Sequence, residues 1–144
     1  MKIKPCVIGL GYVGLPALIK ISRKFDAFGF DTNFQRIKSL KKFHDFNLEY
    51  SKKELSSIKA NNLKNKILEV KDCNFFIVCV PTPIKLNKKP DLAPLKLACK
   101  YLGKILKKNN IVVFESTVYP GATEDICVPI LEKNSSLNYK KNNF

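Results

Sequence analysis

The sequence predicts an α/β fold built on one doubly wound parallel β-sheet. Short apolar runs alternate with amphipathic segments along the 144 residues, and this alternation is typical of parallel strands joined by helices. Two of the runs, 74–80 (NFFIVCV) and 111–114 (IVVF), are apolar almost throughout, as in strands that are covered on both faces. A glycine-rich turn directly follows the apolar run at residues 3–8, near the start of the chain. The length corresponds to one domain, residues 1–144.

The spacing of apolar residues and the presence of helix-capping residues predict the helices and strands in the first half of the chain. In the helix predicted at 34–43, apolar residues recur every three positions on one face. Ser51 and Glu54 have the spacing of a capping box, which predicts that a helix begins after Ser51. The predicted elements are a strand at 3–8, a helix at 12–24, a strand at 27–30, helices at 34–43 and 52–60, and a weak strand at 67–70.

Prolines and an aspartate bound the elements of the second half. Pro81 and Pro83 end the strand at 74–80, because proline cannot continue a hydrogen-bonded ladder. Asp91 is predicted to cap the next helix, which carries a stripe of leucines. The predicted elements are strands at 74–80 and 111–114, helices at 91–108 and 122–132, and a polar segment from 134 to 144.

Gly9, Gly11 and Gly14 form a Gly-x-Gly-x-x-Gly pattern after the first strand, here called the glycine turn (residues 9–14). In dinucleotide-binding folds the three glycines permit the tight turn, the approach of backbone to a pyrophosphate, and close packing of helix on strand. The apolar run 6–19 also resembles the core of an export signal. Glycines disfavour such a helix, no small-residue cleavage site follows, and the run is too short to span a bilayer. A phosphate-binding turn and no membrane segment are therefore expected.

Asp31 ends the second predicted strand, 22 residues after Gly9. A carboxylate at this distance can accept hydrogen bonds from the ribose hydroxyls of adenosine and repels a 2′-phosphate, which favours NAD over NADP. Arg36 is near enough to weaken that preference, or to lie along the adenine. The alternative is that Asp31 only caps the helix that starts at Asn33.

Four segments follow the carboxyl ends of predicted strands: the glycine turn, Asp31, Pro81-Thr82-Pro83 and Ser116-Thr117. Ligands of open parallel sheets bind outside these strand ends, so the four segments are expected to meet at one crevice. For Ser116 and Thr117 the alternative is a turn that satisfies its own backbone.

The composition argues against several other classes of protein. The formal net charge is +14, but the lysines are scattered singly or in pairs, which favours a solvated surface over nucleic-acid binding. The five cysteines (6, 73, 79, 99 and 127) are odd in number and include no Cys-x-x-Cys, so neither a disulfide framework nor a zinc site is predicted. His44 has no partner motif, so no metal site is expected. Reduced thiols fit a cytoplasmic protein.

Four consecutive motifs resemble the N-terminal NAD-binding domain of the UDP-glucose/GDP-mannose dehydrogenases. They are GLGYVGLP (9–16), VPTP (80–83), KPDLAPL (89–95) and ESTVYPGATEDICVPIL (115–131). The sequences of these motifs are most similar to those of the branch that oxidises UDP-N-acetylhexosamines, which includes the UDP-N-acetylglucosamine 6-dehydrogenases of the Vi-antigen type. The resemblance covers nearly the whole chain and implies a Rossmann-type sheet.

The resemblance implies an enzyme that uses two NAD to oxidise the C6 alcohol of a UDP-N-acetylhexosamine, or of UDP-glucose, to a carboxylate for surface polysaccharide synthesis. The resemblance also implies which residues would meet the cofactor. Gly9, Gly11, Tyr12, Val13 and Gly14 would meet its pyrophosphate, and Asp31 and Arg36 its adenosine. Pro81 and Thr82 would meet the middle of the cofactor, and Ser116 and Thr117 its nicotinamide. Thr117 is the supporting catalytic candidate, since it could orient a water or the substrate hydroxyl.

The family's catalytic cysteine lies in a Gly-Gly-x-Cys loop, and none of the five cysteines lies in such a loop. The family's sixth strand, dimerising central helix and UDP-sugar domain also have no counterpart in the sequence. The resemblance therefore implies a Rossmann sheet that lacks its last strand. The family's members are homodimeric enzymes, but this chain is expected to be inactive alone. The alternative is a stand-alone NAD-binding module, or one partner of a split enzyme, without catalysis of its own.

Overall fold

Five strands form one parallel sheet in a computed structural model that describes residues 2–84, 88–142 and 144. The strands are β1 (Pro5–Ile8), β2 (Phe28–Phe30), β3 (Leu63–Lys64), β4 (Phe75–Val78) and β5 (Ile111–Phe114). Their order in the sheet is β3-β2-β1-β4-β5, and every pair is parallel. Because the chain begins in the middle of the sheet and extends it first on one side and then on the other, the sheet is doubly wound, which confirms the predicted fold class.

Six α-helices among the described residues connect or flank these strands. They are α1 (Gly14–Ser22), α2 (Phe34–Leu40), α3 (Lys52–Leu55), α4 (Ala93–Gly103), α5 (Val128–Ser135) and α6 (Tyr139–Asn142). A π-helical turn, Thr123–Cys127, leads into α5, so the helix predicted at 122–132 is two elements. Pro129 in the first turn of α5 has no N–H to carry an α-helical ladder through this junction.

The two faces of the sheet bury separate cores. On β1, Cys6 and Ile8 belong to the core that packs under α4 and α5, whereas Val7 between them belongs to the core under α1, α2 and α3. This alternation follows from the two-residue period of a strand. Phe76 and Val78 of β4 join the first core. Apolar residues on both sides of each central strand are the reason the strand sequences show no polar alternation.

The predicted strand at 67–70 is wrong. Residues Ile67–Val70 form a 3-10 turn, and the third strand is Leu63–Lys64, between the predicted helix at 52–60 and the predicted strand at 67–70. Ile67 and Val70 are three residues apart and both bury into the core under α4, a spacing that suits a helical turn better than a strand. Leu63 faces the opposite core.

The second half differs from prediction at helix ends. Helix α4 begins at Ala93. Asp91, two residues before it, accepts a hydrogen bond from the Ala93 N–H (3.0 Å). It ends at Gly103, which packs against Asn134 of α5, rather than at 108. The segment predicted as polar tail contains α6. Strand β5 lies at one edge of the sheet, where Ile111 is half exposed.

No helix among the described residues combines the length and apolar character that a bilayer span requires. The longest is α4, with 11 residues. All five cysteines are buried and form no disulfide.

Candidate functional site

The glycine turn connects β1 to α1 by a sharp reversal of the backbone. Gly9 has a φ of +88°, in the region that favours glycine, and its N–H donates to the carbonyl oxygen of Phe30 on β2 (2.8 Å). A side-chain carbon at Gly14 would overlap the carbonyl oxygen of Gly9. The first and third glycines therefore allow α1 to start directly against the turn.

Gly11 lies beside open space. A side-chain carbon built there meets no atom within 4 Å, so the backbone can be approached closely from outside. Tyr12 and Val13 extend away from the protein, with 71% and 57% of their surface exposed. The first N–H groups of a helix have no intrahelical partner, and no side chain caps α1 in the described structure. The start of α1 consequently offers backbone donors and a favourable dipole to an anion.

Asp31 follows β2, and both of its carboxylate oxygens are already fixed. Oδ2 accepts a hydrogen bond from the Leu10 N–H and Oδ1 accepts one from the Asn33 N–H, each at 2.8 Å. The N-cap of α2 is Asn33, whose side chain accepts from the Arg36 N–H (3.1 Å). Asp31 is therefore not the N-cap residue, although its Oδ1 holds the N–H of that residue, and its contact with a ribose stays a prediction. A carboxylate can accept about four hydrogen bonds, so Asp31 keeps capacity for hydroxyl donors.

A cavity of about 350 Å³ opens where β1, β2 and β4 end. Its walls come from four segments: Ile8, Gly9 and Gly11; Phe30, Asp31 and Thr32; Cys79, Val80 and Pro81; and Pro94, Leu97, Ala98 and Tyr101. The volume is in the range of small-molecule sites. Three of the four segments predicted to converge therefore do meet, and a fourth wall comes from α4.

Sequence reasoning missed the wall that α4 contributes. Pro94, Leu97, Ala98 and Tyr101 are spaced as one face of the helix. The Tyr101 ring packs edge-to-face on Phe30, with ring centroids 5.9 Å apart. The signal was available as a second row of apolar residues beside the buried stripe of α4, but such a row is also typical of a core.

Arg36 points inward. Only 7% of the residue is exposed, its Nε donates to the carbonyl oxygen of Leu10 (2.9 Å), and its Nη1 forms an ion pair with Asp45 Oδ1 (2.6 Å). Nη2 is buried and has no hydrogen-bond partner among the described residues. Arg36 is not part of the cavity wall described above, so its assignment to the adenosine stays a prediction.

The loops after β4 and β5 are joined to each other. The Ser116 hydroxyl is buried and donates to the carbonyl oxygen of Val80 at 2.7 Å, so it satisfies a neighbouring loop and not only its own turn. Thr117 is exposed and Thr82 is partly exposed. These three residues lie next to the loop that walls the cavity, outside the set of residues that line it. Their contacts with a cofactor stay predictions.

Cys79, which lines the cavity, and Asp45, the partner of Arg36, have shifted pKa values. Burial, together with the negative charge of Glu115, raises the pKa of the Cys79 thiol to about 11, so this cysteine is protonated at neutral pH and a poor nucleophile. Burial also acts to raise the pKa of Asp45, but hydrogen bonds from Arg36 and from the Asn47 and Glu49 N–H groups outweigh it and hold that pKa below its usual value. No group of three or more metal-ligating side chains occurs in the described part of the chain.

Comparison with known families gives a match along the whole chain. The model of the UDP-glucose/GDP-mannose dehydrogenase family, NAD binding domain, matches residues 1–144. The chain is 46% identical to a UDP-N-acetyl-D-glucosamine 6-dehydrogenase of Pseudomonas aeruginosa, over 99% of this chain and 34% of that protein. It is 44% identical to the enzyme of the same name from Salmonella typhi, over 97% of this chain and 33% of that protein. The chain thus spans about a third of the length of the curated relatives it matches.

Solved structures agree in fold. A UDP-D-ManNAc dehydrogenase from Pyrococcus horikoshii superposes with a TM-score of 0.84 at 28% identity, covering 94% of this chain and 33% of that one. A GDP-mannose dehydrogenase from Pseudomonas aeruginosa, solved as a ternary complex, gives a TM-score of 0.85 at 25% identity over 93% of this chain and 33% of that one.

Proposed function

Because the chain belongs to the UDP-glucose/GDP-mannose dehydrogenase family, in its NAD-binding domain, we propose that residues 1–144 are the cofactor-binding domain of an NAD-dependent UDP-sugar 6-dehydrogenase. The substrate proposed is a UDP-N-acetylhexosamine, with UDP-N-acetylglucosamine first, since the relatives at 46% and 44% identity carry that name. The carboxylated sugar would serve surface polysaccharide synthesis. NAD, when bound, accepts the hydride that leaves the sugar C6.

The single observation that carries NAD binding is the combination of donors, acceptor and apolar wall around one cavity. The start of α1 and the open space at Gly11 suit a pyrophosphate. The unused acceptor capacity of Asp31 suits the hydroxyls of a ribose. The apolar face of α4, with Leu97 and Tyr101, suits a flat base. The residues present therefore fit the cofactor that the family uses.

The charges around the cavity favour NAD over NADP. The Asp31 carboxylate lines the cavity and would repel a 2′-phosphate. The guanidinium of Arg36, which the sequence analysis considers as a possible partner of that phosphate, is paired with Asp45. This pairing supports the preference for NAD that Asp31 sets.

We further propose that the chain alone holds the cofactor without turning over substrate. Each of the five cysteines is buried, and Cys79, the one that lines the cavity, has a pKa raised to about 11, so none is placed to attack an aldehyde. Thr117 is exposed and follows Ser116, which is bonded to Val80 of the cavity wall; there it could orient a water or the substrate hydroxyl in a larger assembly.

Calorimetric titration of the purified chain with NAD and with NADP tests the binding proposal. We expect saturable NAD binding, a rise in Tm with NAD, and affinity for NADP at least about tenfold weaker, which corresponds to roughly 1.4 kcal/mol. Absence of any NAD binding would contradict the proposal. Addition of UDP-N-acetylglucosamine and NAD should produce no absorbance at 340 nm; NADH formation would show that the chain is catalytic by itself.

The alternative is an NAD-binding module that works as one partner of a split enzyme. It predicts that the chain folds and binds NAD before it meets its partner. Mixing the chain with the remaining portion of the Pseudomonas aeruginosa relative distinguishes the two: NADH formation only in the mixture supports a split enzyme, whereas an inert mixture favours a domain that functions only in covalent continuity.

A further inference from the structure

The peptide groups around Leu10, in the glycine turn, are held by side chains from outside the turn. The Leu10 N–H donates to Asp31 Oδ2 at 2.8 Å, and the Leu10 carbonyl oxygen accepts from Arg36 Nε at 2.9 Å. Leu10 lies between Gly9 and Gly11, whose backbone has few steric restraints of its own. These two hydrogen bonds therefore fix the orientation of the turn at its most flexible part.

Arg36 is fixed in turn by Asp45. The distance from Nη1 to Asp45 Oδ1 is 2.6 Å, and the two side chains are 8% and 0% exposed. A buried ion pair of this kind pays a large desolvation cost and is a poor source of net stability compared with apolar side chains of the same volume. Directional constraint on Arg36 is therefore a better explanation for the pair than stability alone.

The loop around Asp45 is built on the same carboxylate. Oδ1 also accepts from the Asn47 N–H (3.2 Å), and Oδ2 accepts from the Glu49 N–H (3.1 Å). Asp45 is absent from the residues that line the cavity, so it does not meet a ligand there directly. A continuous set of hydrogen bonds nevertheless runs from this loop through Arg36 to Leu10.

We propose that Asp45 is a positioning residue for the glycine turn and acts through Arg36 on the carbonyl group of Leu10. This inference rests on the proposed function, because the turn is where the pyrophosphate of NAD would bind. With Asp45 charged, Arg36 Nε stays directed at Leu10, and the Leu10 N–H stays on Asp31. The turn is then fixed in its binding conformation before the cofactor arrives, which lowers the cost of binding.

The test compares Asp45→Asn with Asp26→Asn. Asp26 pairs with Lys59 at 2.8 Å, but its side chain is 54% exposed, so it is a matched carboxylate on the surface. In ¹H–¹⁵N NMR spectra without cofactor, Asp45→Asn should shift the backbone amide signals of Leu10 and Gly11, and Asp26→Asn should not. By calorimetry, Asp45→Asn should weaken NAD binding about tenfold, and Asp26→Asn by less than about twofold.

A merely structural role for Asp45 gives a different pattern. The NMR signals of residues 43–50 would then move while those of Leu10 and Gly11 stayed in place, and NAD affinity would be unchanged in the folded variant; that result overturns the proposal. If the wild-type chain binds no NAD, the proposed function fails, but the amide shifts still decide whether Asp45 controls the turn.

A second variant approaches the same question from Arg36. Arg36→Lys keeps a positive charge for Asp45 but has a single ammonium in place of the two donors that reach Asp45 and Leu10. It should shift the same Leu10 and Gly11 signals, because Arg36 bonds Leu10 directly. If Asp45→Asn does not fold, Asp45→Glu keeps the charge but displaces the carboxylate from Arg36; it should shift these signals too, and unchanged Leu10 and Gly11 signals would overturn the proposal. The double variant should bind NAD no more weakly than Arg36→Lys alone, because Asp45 acts through Arg36; additive losses would overturn the inference.

Discussion

Two regions around the cavity, the glycine turn and the loops that follow β4 and β5, differ in how firmly their polar groups are held. On the side of the glycine turn, Asp31 has two backbone hydrogen bonds and Leu10 is fixed through both its N–H and its carbonyl group. On the side of the loops after β4 and β5, the described link is the bond from the Ser116 hydroxyl to the Val80 carbonyl oxygen, and Thr117 is exposed. One side is organised before any ligand binds, and the other is open.

This difference has a consequence for binding. Groups that are already fixed lose little conformational freedom when a ligand arrives, so they contribute more of their interaction energy to affinity. We therefore expect the glycine-turn side to contribute most of the affinity for NAD. The Ser116–Thr117 side is expected to act chiefly on the orientation of groups at the nicotinamide. Variants in each of the two regions test that division.

Gly14→Ala should be the most damaging change on the organised side. Its new methyl group would overlap the carbonyl oxygen of Gly9, whereas the methyl group of Gly11→Ala meets no atom within 4 Å. We expect Gly14→Ala to lower the free energy of unfolding by about 3 kcal/mol or more, and to abolish measurable NAD binding. Gly11→Ala should change stability by less than about 1 kcal/mol. Urea unfolding measures both, and equal destabilisation by the two variants would contradict the packing described here.

Asp31→Asn should weaken NAD binding without comparable loss of stability. The amide keeps one acceptor oxygen but loses the charge that strengthens hydrogen bonds to hydroxyls, so affinity for NAD should fall roughly 10- to 100-fold. The preference for NAD over NADP should also narrow, because the repulsion of the 2′-phosphate is removed. Calorimetry with both nucleotides provides the measurement. The exposed Asp26→Asn is the control, and an Asp31→Asn chain that binds NAD like this control would refute the ribose assignment.

The sequence was sufficient for the fold class because parallel strands and helices leave periodic signals. It failed at β3 because Leu63–Lys64 is a two-residue strand, too short for any period to appear, while Ile67 and Val70 imitate a strand by composition. In both cases packing in the folded protein decides the local structure, because Leu63 packs into one core and the 3-10 turn packs into the other.

The candidate site was predictable where backbone chemistry restricts the residue type. Gly9 requires a positive φ and Gly14 requires the absence of a side chain, so both leave a sequence pattern. Tyr101 and Leu97 line the cavity with apolar groups that a core would equally use. The pairing of Arg36 with Asp45 depends on how the loop after α2 folds back, and no periodic pattern encodes that path.

Acidification should loosen the organised side through Asp45. Burial opposes ionisation of Asp45, but its hydrogen bonds from Arg36 and two N–H groups hold its pKa in the folded protein below the usual 3.8. A depressed pKa contributes stability that is present above the unfolded-state pKa and is lost as the pH falls through the folded-state value. The difference in free energy of unfolding between wild type and Asp45→Asn should therefore shrink as the pH falls from about 6 to about 3. Urea titrations across that range provide the measurement, and a constant difference would show that the Asp45 charge is not the source of the stability.

The smallest effects are expected on the open side, where Ser116→Ala and Thr117→Val form a matched pair. Ser116→Ala leaves the Val80 carbonyl oxygen without its buried donor and should cost about 1 kcal/mol of stability. Thr117→Val changes an exposed side chain and should leave stability within about 0.5 kcal/mol of wild type. Both variants should bind NAD within about threefold of wild type, which is less than 1 kcal/mol. A tenfold loss in Thr117→Val would mean that the open side contributes to affinity as strongly as the glycine turn, and the division between the two sides would have to be abandoned.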